Sequence, residues 1–128
     1  MDHPISEFKS KSGLRRIFSA MSYSLDGFKA AWLHEHAFRQ ELVVVVIGTV
    51  VALGLAISPF EKLVLIVALL FVLIVELINS AIEAIVDRIS LERHPLSKRA
   101  KDLGSAAVML AFIIAALTWA TVLVNRFY

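Results

Sequence analysis

The apolar positions of this 128-residue chain form one periodic segment followed by three long runs. In the periodic segment Leu14, Ile17, Phe18, Met21, Leu25, Phe28 and Trp32 recur every three or four residues. Arg15, Arg16, Ser19, Ser22, Asp26 and Lys29 fall elsewhere around the turn. That is the rhythm of an amphipathic helix. It is too charged to span a bilayer, and basic residues opposite Trp and Phe suit a helix lying in the plane of a membrane surface. The runs that follow are Leu42 to Ile57, Leu63 to Val75 and about Ser105 to Val124. The first is short for a span, which takes ~20 residues, and must borrow flanking positions.

The pattern therefore predicts an all-α integral membrane protein of one domain, residues 1–128. A flexible tail occupies 1–13, a surface helix 14–40, and transmembrane helices 41–58, 62–87 and 104–125. Ser58-Pro59-Phe60-Glu61-Lys62 is a tight connection, with Pro59 placed to start a helix. Arg88 to Lys101 reads as a polar loop broken by Pro95, with Gly104-Ser105 opening the last helix. Gly48 and Gly54 are read as close-packing positions between helices.

One stretch breaks the apolar rule without breaking the helix. Glu76, Asn79, Ser80, Glu83 and Asp87 continue directly from Val75 at helical spacing, so they share a face. Leu, Ile, Ala and Val separate them. An ionisable group at the centre of a membrane helix costs roughly 2.5–3.5 kcal/mol on insertion scales, so such groups are functional candidates by default.

Composition sharpens this picture. The apolar fraction is 59% and the mean hydropathy +0.78, well above soluble-protein usage. The formal charge of +2 gives no case for a nucleic-acid partner. With no cysteine, disulfides and thiolate metal sites are excluded. Lys9, Lys11, Arg15, Arg16, Lys29 and Arg39 precede the first span, and Arg88, Arg93, Lys98, Arg99 and Lys101 lie between the second and third. The other two ends carry only Lys62 and Arg126. This asymmetry predicts a cytoplasmic N-terminus. Glu35, Glu41, Glu76 and Glu83 then gather with a basic loop at the cytoplasmic face.

Carboxylates beside Lys and Arg at such an interface suit Mg²⁺ and a polyphosphate. Magnesium is often held by one or two carboxylates plus phosphate oxygens. Glu35 and Glu83 are suitable ligands, and Lys101 and Arg16 could neutralise phosphate. His34 and His36, two residues apart, do not share a helix face and read as solvated interfacial side chains. Trp119 reads as an interface anchor, and Asp87 as a solvated residue at a helix exit. No Walker or protein-kinase glycine loop is present. Membrane carboxylates alone leave three readings open: an enzyme, a small oligomeric ion channel with Glu76 and Glu83 lining a pore, or an assembly subunit whose glutamates pair with neighbouring cations.

Glu76-Leu-Ile-Asn-Ser-Ala-Ile-Glu-Ala-Ile-Val-Asp-Arg88, with Leu96-Ser-Lys-Arg-Ala-Lys-Asp-Leu-Gly-Ser-Ala-Ala-Val108, resembles the prokaryotic diacylglycerol kinase family. Ala30-Ala-Trp-Leu-His-Glu-His-Ala-Phe-Arg-Gln-Glu41 strengthens the resemblance, which covers about Arg16 to Trp119 and is nearer the diacylglycerol branch than the undecaprenol kinase branch. It implies an inner-membrane homotrimer with sites shared between subunits. The implied reaction is the ATP- and Mg²⁺-dependent phosphorylation of diacylglycerol, serving phospholipid recycling. By motif position, Glu76 matches the general base, Asn79 the polar residue between the motif glutamates, and Glu35 and Glu83 the metal carboxylates. The resemblance assigns nucleotide contacts to Arg16, Tyr23, Glu35, Glu83, Glu92, Arg93, His94, Lys101 and Asp102. Lipid-facing positions on the surface helix are Arg16, Ala20, Met21, Ser22, Tyr23, Ser24, Leu25, Lys29, Ala30, Ala31 and Trp32. Ala37, Phe38, Arg39, Gln40, Glu41, Glu76, Ser105 and Trp119 complete that set. Leu25 and Asp26 depart from the family's commonest residues, tryptophan and a basic residue, near the acceptor lipid.

Overall fold

Where the apolar periodicities run, helices form. The computed structural model describes residues 13–128, which make four helices: α1 Leu14–His34, α2 His36–Gly54, α3 Pro59–Ile89 and α4 Pro95–Phe127. The tail expected over 1–13 lies outside the described residues but for Gly13. The chain divides into two units, one ending at His34 and the other spanning Glu35–Tyr128.

The first unit is α1. Gly13 precedes it with φ +59°, a left-handed conformation that glycine adopts without a Cβ penalty. The Gly13 carbonyl accepts from Arg16 N (3.2 Å) and Ile17 N (3.4 Å) and so begins the helix. Leu14, Phe18, Met21, Leu25 and Phe28 are exposed along its apolar stripe.

The surface helix does not run to residue 40. Glu35 is extended (φ −113°, ψ 104°) and caps the start of α2, so residues 36–40 belong to the first membrane helix. This supplies the flanking turn that the short Leu42–Ile57 run needed. The last helix also starts earlier than expected. Pro95 does not break a loop; it sits in the first turn of α4, where its missing N–H costs nothing. His94 is the cap, its Nδ1 accepting from Leu96 N at 3.1 Å. Gly104 is therefore well inside a helix rather than at its opening.

The start of α3 follows the sequence closely. Ser58 and Glu61 form a capping box: Glu61 N donates to Ser58 Oγ and Ser58 N to Glu61 Oε1, each at 3.1 Å, with Pro59 in the first turn. Lys62 Nζ donates to the Leu53 carbonyl (2.7 Å) and Arg126 Nε to the Ala56 carbonyl (3.3 Å). The two cations of this end thus satisfy carbonyls left open as α2 ends.

In the second unit α3 is central and packs on both α2 and α4. Ala68 and Val72 of α3 meet Ala111 and Ala115 of α4, a seam of small side chains that lets two backbones approach. Nearer the capped end, Leu65, Ala52 and Ile57 form a second cluster with Trp119 and Val122 packed against it. The Trp119 indole N–H donates to the Leu65 carbonyl (3.2 Å). Gly48 belongs to this packing, since a Cβ there would meet Leu69 Cδ1 at 2.5 Å. Gly54 does not, having nothing within 4 Å of an added Cβ. Three helices, α2, α3 and α4, are long and apolar enough to cross a membrane. Much of their outer surface is exposed Val, Leu, Ile and Phe, as lipid or protein contact requires.

Removing the α3 cap should cost about 1 kcal/mol. Ser58→Ala is expected to lower the thermal midpoint in detergent, while leaving activity at permissive temperature unchanged because the cap lies far along α3 from the polar stripe.

Candidate functional site

The polar stripe of α3 is buried where it leaves the apolar run. Glu76, Asn79 and Ser80 are 5–8% exposed, and they sit on the same helix face that carries Leu65, Ala68, Val72 and Leu73 into the core. Packing thus turns this stripe inward rather than toward solvent. The antiparallel seam with α4 fixes what each residue meets: Leu65 faces Trp119, Asn79 faces Gly104, and Asp87 faces Lys101.

Glu41 of α2 comes alongside Glu76, and Glu76 also feels the charges of Glu83 and Glu35. The four glutamates of the sequence reading therefore do converge, from α2, its cap and α3. Asn79 Nδ2 donates to Glu83 Oε1 at 3.3 Å. Asn79 Oδ1 is buried without a hydrogen-bond partner among the described residues, and Glu41 Oε2 and Ser80 Oγ are buried beside Glu76 with no well-formed bond of their own. Buried polar atoms are nearly always paired, so orphans of this kind are expected where a ligand, ion or water engages the site.

Beyond the stripe, the connection between α3 and α4 encloses an open cleft of about 760 Å³. Glu92, Arg93, His94, Lys101 and Asp102 all line it, together with Asp87 and Lys98. Five of the expected nucleotide contacts are thus gathered in one place. Two ion pairs order its charges: Lys101 with Asp87 (2.7 Å) and Lys98 with Asp102 (2.6 Å). Asp87 is not merely solvated, as its position at a helix exit suggested; it holds Lys101 from the opposite helix. Arg16 and Tyr23 lie on α1, in the other unit.

The expected lipid-facing positions divide similarly. Arg16 to Trp32 are on α1. Ala37 to Glu41 form the first turns of α2, where Phe38 is buried and the His36 ring contacts Arg39 Nη2 (3.3 Å) and Gln40 Nε2 (3.2 Å). Ser105 begins a shallow apolar groove of about 480 Å³ on α4, continued by Val108, Met109, Phe112, Ile113 and Ala116. Trp119 lies at the other end of the bundle, about 16 Å along α3 from Glu76 at the helical rise.

No group of three or more acidic or histidine side chains among the described residues forms a metal cage. A cation that takes one or two carboxylates and completes its shell with water and phosphate asks for less, and the Glu83 and Glu35 carboxylates fit that requirement. Asp87 and Gly104 are the residues the sequence reading missed. The signal for both was the antiparallel register of α3 and α4.

Comparison with known proteins follows the same residues. Residues 22–123 match the family described as prokaryotic diacylglycerol kinase. A diacylglycerol kinase of Pseudomonas aeruginosa is 54% identical over 120 residues, covering 94% of this chain and 98% of that protein. The diacylglycerol kinase of Escherichia coli strain K12 is 49% identical over 116 residues, covering 91% and 95%. That of Haemophilus influenzae is 41% identical over 112 residues, covering 88% and 95%.

The Asp87–Lys101 pair is about half exposed, so water screens it and it adds little to stability. Asp87→Asn is expected to leave the thermal midpoint nearly unmoved and to raise the apparent KM for ATP by roughly two- to fivefold, the equivalent of that interaction. An unchanged KM would show that Lys101 needs no anchor.

Proposed function

The chain belongs to the prokaryotic diacylglycerol kinase family, and from that premise we propose that it transfers the γ-phosphoryl group of ATP to the primary hydroxyl of diacylglycerol at the cytoplasmic face of a bacterial inner membrane. The observation that carries the reading is the buried acidic end of α3 adjoining a cleft lined by Arg93, His94, Lys98 and Lys101. A nucleotide's phosphates suit the cleft, and a proton acceptor is needed where a bilayer-borne hydroxyl can reach it.

In this proposal the acceptor oxygen attacks the γ-phosphorus, the bond to the β–γ bridging oxygen breaks, and ADP leaves. Glu76 accepts the hydroxyl proton. Its burial excludes bulk water from that transfer and holds the carboxylate on a rigid helix. Phosphoryl transfer proceeds through a loose transition state, so positioning and charge neutralisation supply most of the acceleration. Lys101 offsets charge on the phosphates. Glu35 and Glu83 would hold Mg²⁺, which when bound neutralises and orients the phosphate chain. Asn79 keeps Glu83 in place through its amide N–H. The groove beginning at Ser105 has the apolar lining that suits an acyl chain.

We take the working unit to be a homotrimer whose sites are completed by neighbouring subunits. The exposed apolar faces of α2 and α4 support it. The Lys and Arg distribution supports a cytoplasmic N-terminus and a cytoplasmic α3–α4 connection. The apolar stripe of α1 suits a membrane surface.

Purified protein in mixed micelles, given labelled ATP, Mg²⁺ and a panel of lipid alcohols, is expected to phosphorylate diacylglycerol in preference to undecaprenol. Preference for undecaprenol would reassign the acceptor, and no ATP consumption with any acceptor would overturn the reading. Glu76→Gln is expected to lower turnover by at least about 10²-fold, the usual worth of a general base, with ATP still bound. Near-normal turnover would remove Glu76 from that role. Glu83→Gln is expected to weaken apparent Mg·ATP affinity as well as rate.

A further inference from the structure

Gly104 faces Asn79 across the α3–α4 seam, and both are buried. A Cβ built on Gly104 would collide with Asn79 Oδ1 and lie 3.3 Å from Asn79 Cγ. The three heavy atoms nearest to that Cβ all belong to this one side chain. The backbone of α4 here forms the wall against which the Asn79 amide rests.

That wall decides which way the amide points. Asn79 Nδ2 donates to Glu83 Oε1 (3.3 Å), while Oδ1 lies buried against Gly104 without a donor. An ionised carboxylate only accepts hydrogen bonds, so the NH₂ end must face Glu83. The oxygen then has nowhere to go but toward α4, and only a residue with no side chain leaves room for it. Helix geometry gives Gly104 no reason of its own to be glycine. It lies ten residues into α4, has no left-handed φ, and alanine is a better helix former at such a position.

We propose that Gly104 is a positioning residue for the reaction: its missing side chain holds the Asn79 amide in the orientation that aims Glu83. The inference rests on the reading of Glu83 as a metal carboxylate, but its geometric part does not. Adding a methyl group at 104 forces the Asn79 side chain to swing, because the atom it meets is the end of a movable side chain and not backbone. Swinging breaks the hydrogen bond to Glu83. The fold is left standing, since the substitution gains helix propensity in exchange. Function and stability are thereby separated at this residue.

The test compares wild type, Gly104→Ala, Asn79→Ala and the double variant as full-length protein in detergent. Three quantities are read: the thermal midpoint, the solvent-exchange protection of the Asn79 side-chain amide by NMR, and Mn²⁺ affinity in the presence of ATP by electron paramagnetic resonance. Gly104→Ala is expected to keep its thermal midpoint and lose the protection of the Asn79 amide. Its Mn²⁺ affinity should fall by roughly 10- to 100-fold, the usual effect of losing a hydrogen-bonding partner behind a metal ligand. The double variant should bind Mn²⁺ no worse than Asn79→Ala alone, since the two changes act through one side chain. If Gly104→Ala fails to fold, recovery of folding in the double variant, where the collision is gone, supports the proposal and continued failure overturns it. Unchanged protection of the Asn79 amide in Gly104→Ala overturns it, as does a Gly104→Ala loss that adds in full to that of Asn79→Ala. Wild-type Mn²⁺ affinity that Glu83→Gln leaves unmoved would instead refute the metal reading, leaving the amide protection to decide the role of Gly104.

Discussion

Placing charge at the end of an apolar helix without a break in the backbone is the constraint that the other features answer. α3 runs 31 residues with no interruption, and its polar stripe follows directly on a run of aliphatic side chains. Because the helix is continuous, the face that packs the apolar core is the same face that carries Glu76, Asn79 and Ser80. Those groups cannot turn to solvent without turning Leu65, Ala68 and Val72 out of the core. Burial of the acidic stripe is therefore a consequence of register, and it must be compensated at that spot. α2 compensates little, since it brings a further carboxylate, Glu41, against Glu76. α4 contributes a bare backbone at Gly104 and a cation at Lys101.

The α3–α4 seam does two jobs along its length. In the apolar stretch, alanines on both helices let the axes approach and give the packing that replaces hydrophobic driving force inside a membrane. Past Val75 the same close approach brings the Gly104 backbone against the Asn79 amide. Farther on, charge takes over from contact, and Asp87 pairs with Lys101 of the facing helix. Side-chain size and charge along one antiparallel interface thus grade from structural to chemical within a few turns. The opposite end shows the complementary solution: Trp119, Lys62 and Arg126 all donate to main-chain carbonyls, consuming the polar groups there in holding helices together.

Much of this was legible in the residues. The apolar runs located three membrane helices, the spacing of Glu76, Asn79, Glu83 and Asp87 put them on one face, and Ser58-Pro59 with Glu61 announced a helix start. What the sequence obscured were the ends of helices whose first turns are polar. Residues 36–40 and 95–103 are charged enough to read as surface helix and loop, yet the extended backbone at Glu35 breaks α1 from α2 and the His94 cap starts α4 at Pro95, so they belong to α2 and α4. The pairing of positions across the seam was invisible for a different reason. Periodicity tells which residues share a face, but not which residue of the next helix stands opposite. Hence Asp87 looked idle and Gly104 looked like a helix opening, when each is defined by a partner on the neighbouring helix.

The distribution of polar groups also separates an enzyme from a pore. A conduction path needs polar lining, or at least wetting, through the thickness of the membrane. From Leu63 to Val75 α3 offers only aliphatic and aromatic side chains, a stretch of about 20 Å at the helical rise. α2 contributes Thr49 in the corresponding region, and Thr118 of α4 returns its hydroxyl to the Ile114 carbonyl of its own helix. Along α3 an ion reaching Glu76 from the basic end would next meet the aliphatic and aromatic side chains of Leu63 to Val75. Carboxylates confined to one end, beside a cleft of alternating charge and an apolar groove, instead suit chemistry between a water-soluble anion and a molecule dissolved in the bilayer. A small protein can serve two such different substrates because the membrane itself presents one of them, leaving the polypeptide to hold only the reacting ends.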